Sequence, residues 1–399
     1  MRRIYPFFSI ILSFIFVILP STVLQAEGTK KNSIIIGSSG SPTLFNPYYS
    51  ADASSSQVES LLYNGLVTFD EHLNPIPDLA LSWNVSPDGY NWTFHLRRGV
   101  QFHDGEEVTA KDVIYSYSIP RAKGYSGPRG SDFEKIKRIR EIDPYTVQFT
   151  LSEPYAPFLT TCAYAILPEH ILGKISSDKL AEHPFNTKQP IGTGPFRFIE
   201  WKDGQYIKLK ANPSFFKGKP RLDTVYFRIA PDQNAQLIQL QSGGIDMMNI
   251  PPTDLSVGRL FEKQGKIKIA SQPSLSYTYI GYNLKNPLFT DQRVRQALTY
   301  ALDRKQIVDV VLEGQGQVAY THGSPLQWAY NNQLEQYPYN PKLAKKLLAQ
   351  AGWQDHDGDG ILDKDGKKFS FVLMTNQGNK IREMVSQIVQ EQWRAIGVE

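Results

Sequence analysis

Between Asn91 and Arg97 the chain alternates, with Trp92, Phe94 and Leu96 set against Asn91, Thr93, His95 and Arg97, the two-residue period of a strand with one buried face. Ser86-Pro87-Asp88-Gly89 just before it is a turn sequence, proline presetting φ and Asp-Gly allowing the reversal. The strand is therefore expected to fold back on residues 79–85. A second turn at Asp104-Gly105 leads to Thr109 and Asp112, a capping-box spacing that predicts a helix with Val113, Ile114 and Tyr117 on one side, ended by Pro120.

Similar patterns recur along the chain. Residues 33–37 (SIIIG) read as an apolar strand, followed by a Ser-, Gly- and Pro-rich loop over residues 38–50. Ser56 and Glu59 have capping-box spacing and predict a helix with Val58, Leu61 and Leu62 inward and Gly65 as its stop. Residues 122–130 are Gly-rich with Lys123 and Arg129 and read as an exposed loop, while Tyr145, Val147 and Phe149 mark another strand. A helix over 232–242 with Ala235, Leu237 and Ile238 inward, stopped by Gly243-Gly244, should pass into a strand at 245–250. Residues 277–283 (YTYIGYN) read as a strand crossing into a second lobe. Beyond them Thr290 or Asp291, Asp303 and Asn340-Pro341 are helix starts, the first with Val294, Ala297, Leu298, Ala301 and Leu302 at three-four spacing. An alternating stretch at 367–374 predicts a strand, and 380–396 a final amphipathic helix stopped by Gly397. Strands and helices in succession imply an α/β fold.

At 399 residues, 41% hydrophobic and 21% charged, the chain has room for two or more domains. Arg2 and Arg3 supply two units of the formal net charge of +4, so the body of the protein carries no basic surplus that would suggest nucleic acid or an anionic membrane. Those arginines precede an apolar run over residues 7–19, broken by Pro20 and followed by Ser21, Thr22 and Ala26. This is the layout of a signal peptide over residues 1–26, with cleavage expected after Ala26 and an uncleaved anchor as the alternative. No cysteine stands near its end to carry lipid. Cys162 is the single cysteine and reads as a small buried apolar residue.

The seven histidines form no HExxH or CxxC-type ligand set, and GxSxG is absent, so neither a metal centre nor a serine hydrolase is indicated and no cofactor is expected. Gly192-Thr193-Gly194 lacks the GKS or GKT of a phosphate loop. Asp355, Asp357, Asp359, Gly360 and Asp363 fall at calcium-loop positions, but Gly366 stands where the bidentate glutamate belongs. A turn between helix and strand is the better account.

Read together, SW..S.DG..WTF.LR.GV.FHDG..VTA.DV at residues 82–113, LPEHIL at 167–172, PIGTGPFRF at 190–198 and FTDQRVRQALTYALDRKQIV at 289–308 resemble the solute-binding proteins that feed peptide-type ABC importers, solute-binding protein family 5. The resemblance implies an α/β, two-lobed periplasmic-binding-protein-like fold with an extra subdomain inserted in the first lobe. Its expected boundaries are 27–64 and 190–284 for the first lobe, 65–189 for the insert and 285–399 for a second lobe that the family continues further. A truncated product is therefore expected, and an acidic residue that receives the ligand's amino terminus in peptide-binding members would lie beyond it.

By the same resemblance the protein is a monomeric periplasmic receptor, not an enzyme, that captures a peptide between its lobes and delivers it to an ABC permease in the inner membrane. Candidate ligand contacts are Gly40 and Ser41 in the first loop, Tyr279 and Asn283 at the hinge, and Asn376 and Gln377 in the second lobe, amides being able to pair with a peptide backbone in both directions. Some dipeptide-binding members hold the ligand carboxylate with an arginine near this last region. Here the sequence is Asn376-Gln377-Gly378-Asn379, with Arg382 the nearest guanidinium, so oligopeptides are favoured over dipeptides. A nickel chelate or an opine is the alternative ligand, and a hydrolase or chaperone the alternative class.

Overall fold

The computed structural model describes residues 32–271, 275–327, 330–375 and 379–399. The expected leader, Asn376 and Gln377 lie outside them.

The first part of the chain runs β1 (Ser33–Ser38), α1 (Ala53–Leu62), β2 (Val67–Phe69), β3 (Pro75–Pro77), β4 (Ala80–Val85), β5 (Asn91–Leu96), α2 (Ala110–Ser118), β6 (Ile136–Asp143) and β7 (Thr146–Leu151). Three single turns of helix follow, α3 (Phe158–Thr161), α4 (Glu169–Leu172) and α5 (Ser177–Leu180), then β8 (Phe196–Lys202), β9 (Tyr206–Ala211) and β10 (Thr224–Ile229). These strands build two four-stranded sheets, ordered β1-β10-β9-β8 and β4-β5-β7-β6. In the first, β1 lies parallel to β10, Ser33 opposite Thr224 and Ser38 opposite Ile229. The second is antiparallel throughout.

The predicted hairpin is β4-β5, with Gly89 at φ 75° in its turn, a left-handed conformation that glycine adopts without steric cost. Phe94 and Leu96 face inward as the alternation requires, and Phe94 meets the edges of Phe149 and Phe158. The Thr109–Asp112 capping box opens α2, which lays Val113 and Tyr117 on the same core. One apolar cluster, reaching from Phe45 to Ile229, joins both sheets.

The crossing at residues 190–195 passes between the sheets. A Cβ on Gly192 or Gly194 would overlap the Leu62 or Leu61 carbonyl oxygen, and the Gly194 N–H donates to the Leu62 oxygen at 2.9 Å. His103 fastens the same crossing. Its Nδ1 accepts from the Gly192 N–H at 3.2 Å, which leaves Nε2 to carry the proton and donate to the Gly194 oxygen at 3.1 Å. Burial pushes this imidazole down to about 4, so it stays neutral.

The remainder is α6 (Gln233–Ser242), α7 (Leu255–Lys263), α8 (Gln292–Tyr300), α9 (Arg304–Val311), α10 (Pro341–Gln350), the two-residue strands β11 (Asp363–Lys364) and β12 (Lys367–Lys368), and α11 (Lys380–Arg394). A second apolar cluster, from Phe289 to Val398, gathers α8, α10 and α11 around Phe369 and Trp393. The Trp393 Nε1–H donates to the Leu298 oxygen at 2.9 Å.

Several expectations are corrected. The first helix begins at Ala53 under an Asp52 cap, not at Ser56, and Glu59 is buried against Ser50 instead of closing a capping box. Ile238 is 63% exposed, and Gln236 with Leu237 takes the inner face of α6. Residues 245–250 contribute one bridge, Ile36 to Met247, in place of a strand. Residues 277–283 enter no sheet, and only Lys367–Lys368 of the expected 367–374 strand pairs. The loop at 122–130 is an exposed to half-buried loop as expected, and it is tied to the first loop by the Tyr125 hydroxyl, which donates to the Tyr48 oxygen, and by Arg129 Nη2, which donates to the Ser50 oxygen at 3.2 Å.

Candidate functional site

Strand β1 ends where two helices begin, and a cleft of about 180 Å³ lies there. Its wall is made by Gly37 and Ser38 at the end of β1 and Ser39 after it, by Ser54 and Gln57 of α1, and by Gln233 and Gln236 of α6, with Asn249 alongside. None of these side chains is charged. The crevice at the carboxyl end of a strand in an α/β sheet is the usual ligand position, because loops there are free to vary while the sheet holds them.

Both helices are pinned at this end. Asp52 Oδ1 accepts from the Ser55 N–H at 2.7 Å and Asp232 Oδ1 from the Ala235 N–H at 2.6 Å, each satisfying an orphan donor of a first turn. Burial pulls the Asp52 carboxyl upward, but hydrogen bonds from Ser55 and Thr43 outweigh it and hold the group below its usual range.

The connecting loop, Ser- and Pro-rich in sequence, is fixed from behind. Asn46 Nδ2 donates to Asn186 Oδ1 at 2.9 Å, the Tyr48 hydroxyl to the Ala165 oxygen at 2.9 Å, and the Tyr49 hydroxyl to the Ser177 oxygen at 3.2 Å. Behind it Ser50 Oγ donates to Glu59 Oε2 at 3.0 Å. Burial raises the Glu59 carboxyl to about 7, opposed by that hydrogen bond and by Arg129. Glu59 Oε1 and Arg129 Nε are both buried without a hydrogen-bond partner.

Gly40 backs onto this wall. Its carbonyl accepts from Ser38 Oγ at 2.8 Å, and a Cβ there would come within 2.5 Å of Ser54 Oγ. Ser41 points elsewhere, donating to Asp203 Oδ1 at 3.4 Å. Tyr279 is 74% exposed against the Tyr277 ring, and Asn283 Oδ1 accepts from the Lys285 N–H at 3.1 Å to shape a turn. No hydrogen bond among the described residues joins this pair to Gly40 or Ser41.

Gln57, Gln233, Gln236 and Asn249 were missed by the sequence reading. Only Gln236 carried an available signal, a polar residue on the inner side of a helix that must find partners; Gln57 and Asn249 are exposed. In the second apolar unit a groove of about 310 Å³ lies between residues 371–373 and the Gln387, Gln390 and Trp393 face of α11. Residues 372–375 make no hydrogen bond among the described residues, and Val372 and Met374 are 82% and 84% exposed.

Two apolar units and a cleft at a strand end walled by amides and hydroxyls are compatible with a protein that holds a solute. The profile of bacterial extracellular solute-binding proteins, family 5 (middle), matches residues 74–399, and the chain belongs to that family. It is 50% identical over 370 residues to the oligopeptide-binding protein AppA of Bacillus subtilis, covering 92% of this chain and 68% of that protein. The structure of that protein in complex with a nonapeptide superposes with a TM-score of 0.81 at 49% identity, over 92% of this chain and 73% of the other. NikZ from Campylobacter jejuni in complex with Ni(L-His) superposes at 0.83 with 33% identity, over 93% and 73%. The fold is thus the two-lobed α/β binding-protein fold. The protein is a solute-binding component, not an enzyme, of a family that works in the periplasm or outside the cell.

Proposed function

We propose that this protein captures oligopeptides between its two lobes and delivers them to an ABC permease in the inner membrane from the periplasm, after removal of residues 1–26. The observation that carries the reading is the likeness at 49% identity to a binding protein holding a nonapeptide. In this reading residues 27–64 and 190–284 form the first lobe, 65–189 the insert and 285–399 the second lobe. The separate apolar clusters on either side of residues 230–288 support the boundary of the second lobe, while the first lobe and the insert share one cluster. Gly40 and the cleft beside it are the first-lobe wall. Tyr279, Asn283, Asn376 and Gln377 contact ligand only when the lobes close, a contact set that would shift a hinge equilibrium towards closure.

A pool of random nonapeptides added to the purified chain tests this. A ligand that binds only the folded state raises the melting temperature by mass action. No rise with peptides, together with a rise on adding nickel-histidine, would favour the second reading, a metal-chelate receptor, for which the NikZ likeness speaks.

A further inference from the structure

Gln236 is 2% exposed, yet it lines the cleft. Its Nε2 donates to the Ala230 carbonyl at 2.5 Å. A carbonyl can only accept, so the orientation of the amide is fixed and Oε1 is the atom left over. That oxygen lies against Gly37, where a Cβ would approach it to 2.8 Å, and it has no hydrogen-bond partner among the described residues. Oε1 is not among the enclosed polar atoms left without a partner, so it stays open to the cleft, and the Nε2 bond to Ala230 presents it there as an acceptor of fixed orientation. No charged side chain lines the cleft, and a desolvated ammonium would lack a counter-charge there. A neutral amide N–H fits.

We infer that Gln236 is a ligand-binding residue of the cleft that sets the register of the peptide: held by Ala230 and backed by Gly37, its Oε1 accepts one main-chain N–H of an extended peptide passing the end of β1. This rests on the peptide reading and sharpens it. The peptide crosses this wall as uncharged main chain, its side chain at that position left unread, which gives tolerance of sequence together with a fixed register. Gly37 is the positioning partner, since any side chain there would push the Gln236 head group out of its seat.

The test takes a nonapeptide captured from the random pool and resynthesises it with single N-methyl groups, one position at a time. Against the wild-type chain one N-methyl peptide should bind about tenfold more weakly than its parent, the loss of one hydrogen bond at the upper end of its usual net worth. Against Gln236→Met the parent should itself be about tenfold weaker and that N-methyl peptide no weaker than the parent. Gly37→Ala, which keeps the amide but displaces it, should behave in the same way, with melting temperatures confirming that both variants fold. Equal penalties for the same N-methyl peptide in all three proteins would overturn the assignment while leaving peptide binding intact. Failure of the wild-type chain to retain any nonapeptide would instead remove the peptide reading beneath it.

Discussion

The two apolar units solve the burial of polar groups differently. Around residues 45–229 two sheets share one core, and buried polar side chains are tied across long sequence distances, Asn46 to Asn186 and Asn64 to both Asp78 and Thr193. Around residues 289–398 the core is helical and aromatic, and its polar ties are mostly local caps: Asp291, Asp303, Asn340 and Asn379 each accept an N–H from the first turn of the helix that follows. The first unit is held by its connections. The second is held by helices that each carry their own ends, with irregular chain such as 371–375 between them.

If the two are independent lobes, large core truncations should separate them. Phe149 is fully buried and meets Phe94, Tyr117 and Phe158, while Trp393 is 3% exposed and bonded to Leu298. Replacing either by alanine should cost about 3–5 kcal/mol. Calorimetry should show Phe149→Ala lowering one transition and Trp393→Ala the other. A single transition lowered by both would mean that the units unfold as one and that the lobe boundary is not a thermodynamic one.

The next effect contrasts their carboxylates. Asp291 in the second unit is held low chiefly by its hydrogen bond from Arg293, whereas Glu59 in the first is raised to about 7 by burial. For a carboxyl whose folded value lies above its unfolded one, the folded state binds more protons between the two. Its contribution is therefore intact below pH 4.5 and lost as pH rises through about 7. Relative to Glu59→Gln, the wild type should lose up to about 3 kcal/mol over that window, at ~1.4 kcal/mol per unit. His103 titrates in both proteins and cancels in the difference. Urea melts from pH 5 to 8 read it directly, and parallel curves for the two proteins would show that Arg129 and Ser50 already compensate the charge.

Smaller still is the loss of a cap. Asn340→Ala removes the acceptor for the Leu343 N–H at 3.0 Å and should cost about 1 kcal/mol, confined to the second transition. No change in that transition would mean that Pro341 alone sets the start of α10.

These contrasts also explain what the sequence could tell. Helices of the second unit were readable because a cap and a three-four stripe are local, as at Asp291 with Val294, Ala297 and Leu298. The strands of the first unit were readable because their partners lie in the same unit, so alternation at residues 91–97 found a face to bury. Residues 277–283 were expected as a crossing strand and 367–374 carry the same alternation, but a strand exists only when another supplies hydrogen bonds, and among the described residues of these stretches only Lys367–Lys368 finds one. The cleft was half legible. Its loop could be placed after a buried strand, but the amides of Gln57, Gln233 and Gln236 meet only when α1 and α6 are both docked at the end of β1, and no spacing within one helix records that meeting.

The smallest effect concerns the acidic loop. Oxygens of Asp355, Asp357 and Asp359 lie within 4.8 Å of one another, a separation that a divalent cation could bridge. Their lone pairs are engaged otherwise: Asp355 accepts from the Gly358 and Gly360 N–H groups at 2.8 and 3.0 Å, and the Lys368 ammonium pairs with Asp357 at 3.7 Å and with Asp359. Asp363, at the ninth position, is taken by His356 Nδ1 at 2.8 Å. Calcium would have to displace these partners and would still lack the glutamate that closes the loop, Gly366 standing in its place. Titration with calcium to about 1 mM, the range of weak extracellular sites, should therefore leave the second transition unmoved. Lys368→Met, removing an exposed ion pair, should lower that transition by the equivalent of no more than about 1 kcal/mol. A rise of several degrees on adding calcium to the wild type would show that the cation competes with Lys368, and the loop would then have to be read as a metal site.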